Sequence, residues 1–179
     1  MRKRILLGSM LAVMVTFGIM IVGCVSTNEQ WAMSAMYKQH TNEVSDIRGA
    51  MTIDSMLLWR SVRTNDNRIL LVDRASRGDE VQWLFTVDLL MPRWLFVDTL
   101  MLSINGEDVI TLVDNNPSRG TNGNGSVREI VNFMLSDEIV TDLKTATSLT
   151  LQFFGEPINI PQAGLDALQT FMVQFDTGT

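Results

Sequence analysis

The sequence predicts an α+β domain built largely on antiparallel β-sheet, and three observations carry that expectation. Residues 80–91, EVQWLFTVDLLM, alternate apolar and polar side chains with the period of two that a half-buried strand requires. Asn105-Gly106 lies between two apolar runs, where a two-residue type I′ hairpin turn needs positive φ at both positions. Helical patterns stand apart from the strands, after Ser136 and after Pro161. The expected architecture is a sheet of about five to seven strands, with a short helix, a C-terminal helix and an N-terminal helix packed on it.

The elements follow in order. From Trp31 to Ala50, Met33, Met36, Tyr37, His40, Val44 and Ile47 recur at spacings of three and four, which predicts an amphipathic helix. Residues 51–62 are too mixed for periodicity to separate strand from helix. Residues 69–72 form an aliphatic run. In the next strand Val81, Trp83, Phe85, Val87, Leu89 and Met91 share one face, Gln82, Thr86 and Asp88 the other, and Pro92 ends the run. A two-residue turn at Asn105-Gly106 would set Ile104 opposite Glu107, Leu102 opposite Val109, Met101 opposite Ile110 and Thr99 opposite Leu112. Both faces then carry apolar side chains, so the hairpin is expected to be covered on both sides.

Residues 114–126, DNNPSRGTNGNGS, predict a long turn-rich loop, and residues 127–135 a strand. Ser136 suits a helix N-cap, with Asp137 and Glu138 in the first turn where the helix dipole favours acids. Leu149, Leu151 and Phe153 alternate, Gly155-Glu156 turns the chain, and Ile158 with Ile160 suggests a short return strand. Pro161 suits the first turn of the last helix, whose stripe is Leu165, Leu168, Phe171 or Met172, and Phe175.

The N-terminus carries a different message. Met1-Arg2-Lys3-Arg4 precedes nineteen uncharged residues, Ile5 to Gly23, and the only cysteine, Cys24, follows directly. A basic start before an apolar run is the pattern of a secretory signal. A membrane-spanning helix is the alternative, because about 18 uncharged residues can cross a bilayer. No basic cluster follows the run, and the next charge is Glu29.

Ile21-Val22-Gly23-Cys24 resembles a bacterial lipobox. The resemblance covers the first two dozen residues only. It implies cleavage between Gly23 and Cys24 and a lipid on the Cys24 thiol. The expected organisation is then a signal peptide over 1–23, the lipidated Cys and a short tether over 24–30, and a single α+β domain over 31–179. Two or three acyl chains on one Cys would anchor the domain stably, which one chain alone does not. The resemblance also implies the cell envelope as location. Val25 is not the Asp that retains some lipoproteins at the inner membrane, which favours the outer membrane.

Loss of residues 1–23 would leave eleven basic residues against twenty acidic ones, a formal charge of −9. That argues against nucleic acid as a partner, since phosphate backbones demand clustered Lys and Arg, and against broad electrostatic adhesion to anionic lipid. His40 is the only histidine, so two-His zinc motifs are ruled out, and a Ser-His-Asp triad would have to use it. The Gly-rich segment 120–126 lacks the Lys of a phosphate-binding loop and leads into a strand. Asp114, Asn116 and Ser118 alternate as calcium ligands would, but Arg119 and Gly125 stand where an EF-hand needs Gly and Glu. Glu107-Asp108 and Asp137-Glu138 have ordinary roles at a turn and a helix start. No catalytic residue, metal or cofactor is therefore expected.

Two residue classes remain. Arg60, Arg63, Arg68, Arg74 and Arg77 fall within eighteen residues. They could line a surface for an acidic partner or anionic ligand. The favoured reading is instead that these arginines, on early strands, pair with acids on later strands across the same sheet. Of the tryptophans, Trp83 belongs to an apolar alternation and predicts core, whereas Trp31 lies close enough to Cys24 to rest at a bilayer interface. The expected function is non-enzymatic binding or scaffolding in the envelope, with an envelope protein as partner. Its main alternative is a pocket between sheet and helices that takes a lipid or small amphiphile. An envelope hydrolase is the least favoured reading.

Overall fold

The computed structural model describes residues 39–46, 49–63, 66–114, 116–123, 125–155 and 157–175. All of them lie in the compact unit Met36–Thr179. The signal peptide, Gly23, Cys24, the tether, Trp31 and the first part of the expected N-terminal helix lie outside the described residues. Among the described residues no helix is long and apolar enough to cross a membrane.

Among the described residues, ten antiparallel strands form two sheets. The larger holds six in the order β1-β2-β3-β4-β8-β7: β1 Gln39–Asp46, β2 Gly49–Arg63, β3 Asp66–Arg77, β4 Glu80–Met91, β8 Val127–Met134 and β7 Ser118–Thr121. The smaller holds four in the order β10-β9-β5-β6: β10 Ile158–Asn159, β9 Leu149–Gln152, β5 Thr99–Ile104 and β6 Ile110–Val113. The described residues also form two helices, α1 (Asp137–Thr145) and α2 (Gln162–Gln174).

The α+β, mainly antiparallel expectation holds in outline, and the finer expectations need correction. The strand number exceeds five to seven because the strands divide into two sheets. Two of them are also too short or too polar to announce themselves: β10 has two residues, and every residue of β7 is exposed. That strand lies inside the segment expected to be a loop. The expected helix over 31–50 gives way to a strand at Gln39–Asp46, paired residue for residue with β2 from Gln39↔Met56 to Asp46↔Gly49. Helical spacing over so short a stretch yields to the ladder that a fifteen-residue neighbouring strand offers.

The inner faces of both sheets and both helices share one apolar core. On β4, Trp83, Phe85, Val87, Leu89 and Met91 are buried as the alternation predicts, while Val81 at the strand's start is exposed. Strand β9 contributes Leu149 and Leu151, with Phe153 just after it, and α2 contributes Leu165, Leu168, Phe171 and Met172. Trp83 meets Phe171 and Phe175 edge to face at 5.7 and 6.2 Å between ring centroids. Each such contact adds about 1 kcal/mol beyond burial.

Local signals at the helix ends act as read. The Ser136 side chain accepts a hydrogen bond from the Ile139 N–H at 3.4 Å and starts α1. At the other end, the Gln169 amide donates to the carbonyls of Leu143 (3.3 Å) and Ala146 (2.7 Å), so α2 satisfies groups that the end of α1 leaves open. Pro161 is the N-cap of α2, one residue before the predicted first turn.

The hairpin shows why register is the hard part. Asn105 and Gly106 have φ of 57° and 73°, and the Glu107 N–H bonds the Ile104 carbonyl at 3.0 Å, as a type I′ turn requires. Yet pairing resumes as Leu102↔Ile110 and Thr99↔Val113, one residue out from the predicted register. Residues 107–109 accommodate the extra residue, a bulge whose geometry is held in part by the Ser103 hydroxyl donating to the Glu107 carbonyl at 2.8 Å. The slip turns Ile110 and Leu112 toward the core and leaves Val109 and Val113 outside, 62% and 57% exposed. The larger side chains gain the buried face. The hairpin is thus open on one side, contrary to expectation.

Candidate functional site: an aromatic cleft and a buried carboxylate

The end of β2 and the start of β3 face the β9–β10 turn across a cleft of about 420 Å³. Trp59 and Phe153 form its apolar base, edge to face with centroids 6.0 Å apart. Gly155, at φ 74°, lets the chain reverse, and Gln152 Nε2 fixes the turn by donating to the Gly155 carbonyl at 2.7 Å. The reversal presents Phe154, Pro157, Ile158 and Asn159 along the other wall.

Arg68 provides the charge in this cleft. It stands opposite Ser61 in the ladder, and its guanidinium lies 5.2 Å from the Phe154 ring centroid. Arg68 Nε and Nη2 donate to the two oxygens of Asp66 at 2.8 and 2.7 Å. These hydrogen bonds, with the attraction of the Asp66 charge behind them, raise the Arg68 pKa against the opposing effect of burial. The pair holds the guanidinium plane fixed and close to neutral overall. Such a cleft suits a ligand with a flat or apolar body and a polar end, and its volume falls within the usual range of roughly 300–1,000 Å³ for small-molecule sites.

The four arginines whose side chains are described do not converge. Arg68 lies in the cleft, and Arg60, opposite Ile69, is exposed on the other face of the sheet. Arg63 closes β2 opposite Asp66, and its side chain lies outside the described set. Arg74 sits six residues along β3 from Arg68, 3.4 Å from Asp54 and with its guanidinium 4.5 Å from the Phe175 ring centroid. Arg77 lies opposite Glu80 at the β3–β4 turn. Nine residues of strand separate Arg68 from Arg77 by about 30 Å. Arg68 and Arg74 pair with Asp66 and Asp54, acids at the start of β3 and on β2 rather than on later strands.

A second constellation was missed in the sequence. Glu129 occupies a core-facing position of β8, opposite Leu89, and is 0% exposed. Its Oε1 accepts the N–H groups of Leu95 (2.5 Å) and Phe96 (3.0 Å), and its Oε2 accepts that of Val97 (3.2 Å). Arg119 Nε donates to Oε2 at 3.1 Å, and Arg119 Nη2 to the Val97 carbonyl at 3.0 Å. Burial pushes the Glu129 carboxyl up. The N–H bonds from Leu95 and Phe96, then Arg119, outweigh it and hold the pKa below the ordinary glutamate value. The segment so gripped carries the chain from the larger sheet into the smaller one. The clue was present: Val127, Glu129, Val131 and Phe133 alternate, and an acid inside an apolar face demands partners.

The interface between α2 and the larger sheet is filled by Trp83, Phe171 and Phe175, so the cleft lies between strand ends and not between sheet and helices. In the segment 114–126, Asp114 is committed to the backbone, accepting the N–H of Asn116 at 2.8 Å and of Asn132 at 2.9 Å. Both its oxygens serve the fold, and among the described residues no group of three His, Cys, Asp or Glu side chains could hold a metal ion. His40 is on β1, its side chain outside the described set. In comparisons with known proteins, no family model, curated protein or solved structure matches the chain.

Proposed function

We propose that the chain is a lipid-anchored protein of the bacterial cell envelope whose domain binds its partners without transforming them. The observation that carries the anchor is the order of the first 24 residues: a basic start, an uncharged run, then Ile21-Val22-Gly23-Cys24. Lipid on Cys24 would confine the domain to a membrane surface and raise its effective concentration there. Val25, in place of the Asp that retains some lipoproteins at the inner membrane, favours the outer membrane. A binding role is supported by the cleft, where the charged groups Arg68 and Asp66 spend their charge on each other, an arrangement that positions a ligand and leaves no free base. Cross-linking in intact envelopes tests the partner. A defined adduct that disappears with Trp59→Ala supports the reading, and an adduct pattern indifferent to the cleft contradicts it.

The cleft also favours a second reading, a site for a small amphiphile, because Trp59, Phe153 and Phe154 supply apolar walls beside the Arg68 fork. A dansylated fatty acid is a suitable probe. Saturable fluorescence enhancement, weakened by Phe154→Ala at unchanged near-ultraviolet circular dichroism, supports it. Enhancement that neither saturates nor responds to Phe154 contradicts it.

A further inference from the structure

We propose that Phe96 and Trp94, flanked by Arg93 and Arg119, form a docking knob for the headgroup surface of a lipid bilayer. The proposal rests on the lipid-anchored reading and adds an orientation to it.

Phe96 is 64% exposed and has φ of 56°. A bulky side chain in the left-handed region is strained, and such strain persists only where surroundings impose it. Here the imposition is visible: three consecutive N–H groups, of Leu95, Phe96 and Val97, are drawn onto the buried Glu129 carboxylate. The crossing between sheets needs that φ, but it does not need a phenyl ring. Gly or Asn would take the conformation with less strain and expose no apolar surface. The ring is therefore a feature of the surface and not of the crossing.

Its neighbours give the surface a chemistry. The Trp94 ring lies 6.2 Å from Phe96, tilted by 32°. The Arg119 guanidinium sits 5.5 Å from the Phe96 ring centroid, and Arg93, next to Trp94 in sequence, is exposed. Trp rings favour the membrane–water boundary, and the exposed Arg93 guanidinium suits phosphate, whereas Arg119 Nε and Nη2 already serve Glu129 and the Val97 carbonyl. Asp98, also exposed, is engaged by the Thr99 hydroxyl at 2.9 Å.

The size of the knob decides between occupants. One exposed phenyl ring offers on the order of 100 Å². A stable protein interface needs about 800 Å² per partner. A domain already tethered to the bilayer needs no more than a small contact to fix its orientation. Fifteen residues from Cys24 to Gln39 set an upper bound of about 50 Å on the length of chain between the lipid and β1.

The test uses the full lipidated chain in vesicles of phosphatidylethanolamine and phosphatidylglycerol. With the Cys24 thiol carrying lipid, Asp98→Cys provides one free thiol for a nitroxide, and Thr111→Cys on the exposed face of β6 provides an aqueous reference. The expected result is a raised oxygen-to-nickel-chelate collision ratio at position 98, falling to the reference value when Phe96→Asn is added. Asn keeps the left-handed conformation, so this variant folds without the ring. A ratio at position 98 equal to the reference with Phe96 present overturns the proposal, as does a label immobilised only when envelope proteins are added. Two free thiols per chain would show that Cys24 lipidation has failed, separately from the knob. In that case the anchor, and with it the orientation that rests on it, is overturned, a result distinct from a reference-level ratio at position 98 on the lipidated chain.

Discussion

Arg119 on β7 stands directly opposite Glu129 on β8, and its Nε lies 3.1 Å from the Glu129 carboxylate. This pair bolts a four-residue edge strand to the segment that joins the two sheets. Edge strand β7 is exposed at every position, so little apolar burial holds it. Removing one partner of a buried pair typically costs about 3–5 kcal/mol. Glu129→Gln should fall near the lower end, about 3 kcal/mol, because its remaining oxygen can still accept backbone N–H groups. Arg119→Met should cost less, since three N–H donors still face the carboxylate. Urea denaturation measures both, and equal midpoints for wild type and Glu129→Gln would contradict the role assigned to the pair.

The same carboxylate predicts an acid limb of stability. Its folded pKa is depressed below the unfolded value of about 4.3. Its contribution is therefore complete above that pH and disappears as pH falls through the lower folded value. Wild type should lose stability more steeply than Glu129→Gln below about pH 4.3. Parallel denaturation midpoints for the two proteins across that range would remove Glu129 as the cause.

The hairpin turn separates two effects. Asn105 Oδ1 accepts the Thr147 N–H at 2.7 Å and the Thr147 hydroxyl at 2.9 Å, tying the turn to the segment between α1 and β9. Asn105→Gly keeps the positive φ and loses these bonds, at an expected cost of about 1–2 kcal/mol. Gly106→Ala keeps the bonds and strains the backbone at φ 73°, also by about 1–2 kcal/mol. The double variant should show the sum if the effects are independent, as thermal unfolding can establish.

Gln169 offers a test of how the helices are joined. Its amide closes the carbonyls of Leu143 and Ala146. Gln169→Leu should cost about 1–2 kcal/mol and speed amide exchange at the end of α1 before that in the sheet core. Uniform acceleration across the domain would mean that the bond is not a local cap.

Strong local chemistry made much of this fold readable. The β4 alternation, the Asn105-Gly106 turn and the Ser136 cap each depend on a few neighbouring residues, and each appears where expected. What failed depended on partners distant in sequence. The register of β6 is set by which residues fit a core shared with β9, so Leu102 pairs with Ile110 through a bulge that no turn rule contains. Strand β1 exists because β2 offers it a ladder. Arginines clustered in sequence scatter along β3, because a strand spreads neighbours at about 3.3 Å per residue. Of the four whose side chains are described, Arg68 alone lines the cleft, and companions there come from the β9–β10 turn some ninety residues later. Glu129 left a trace, an acid in an apolar alternation, whereas the conformation of Phe96 left none.

The anchor carries the most weight in the functional account, and metabolic labelling tests it directly. Cells expressing the full chain are fed radiolabelled palmitate, beside cells expressing Cys24→Ser. The account predicts label in the wild type, a mature chain beginning at Cys24, and an unlabelled, uncleaved precursor for Cys24→Ser. Equal labelling of the two proteins, or a wild-type chain that retains residues 1–23 and takes up no label, would contradict it.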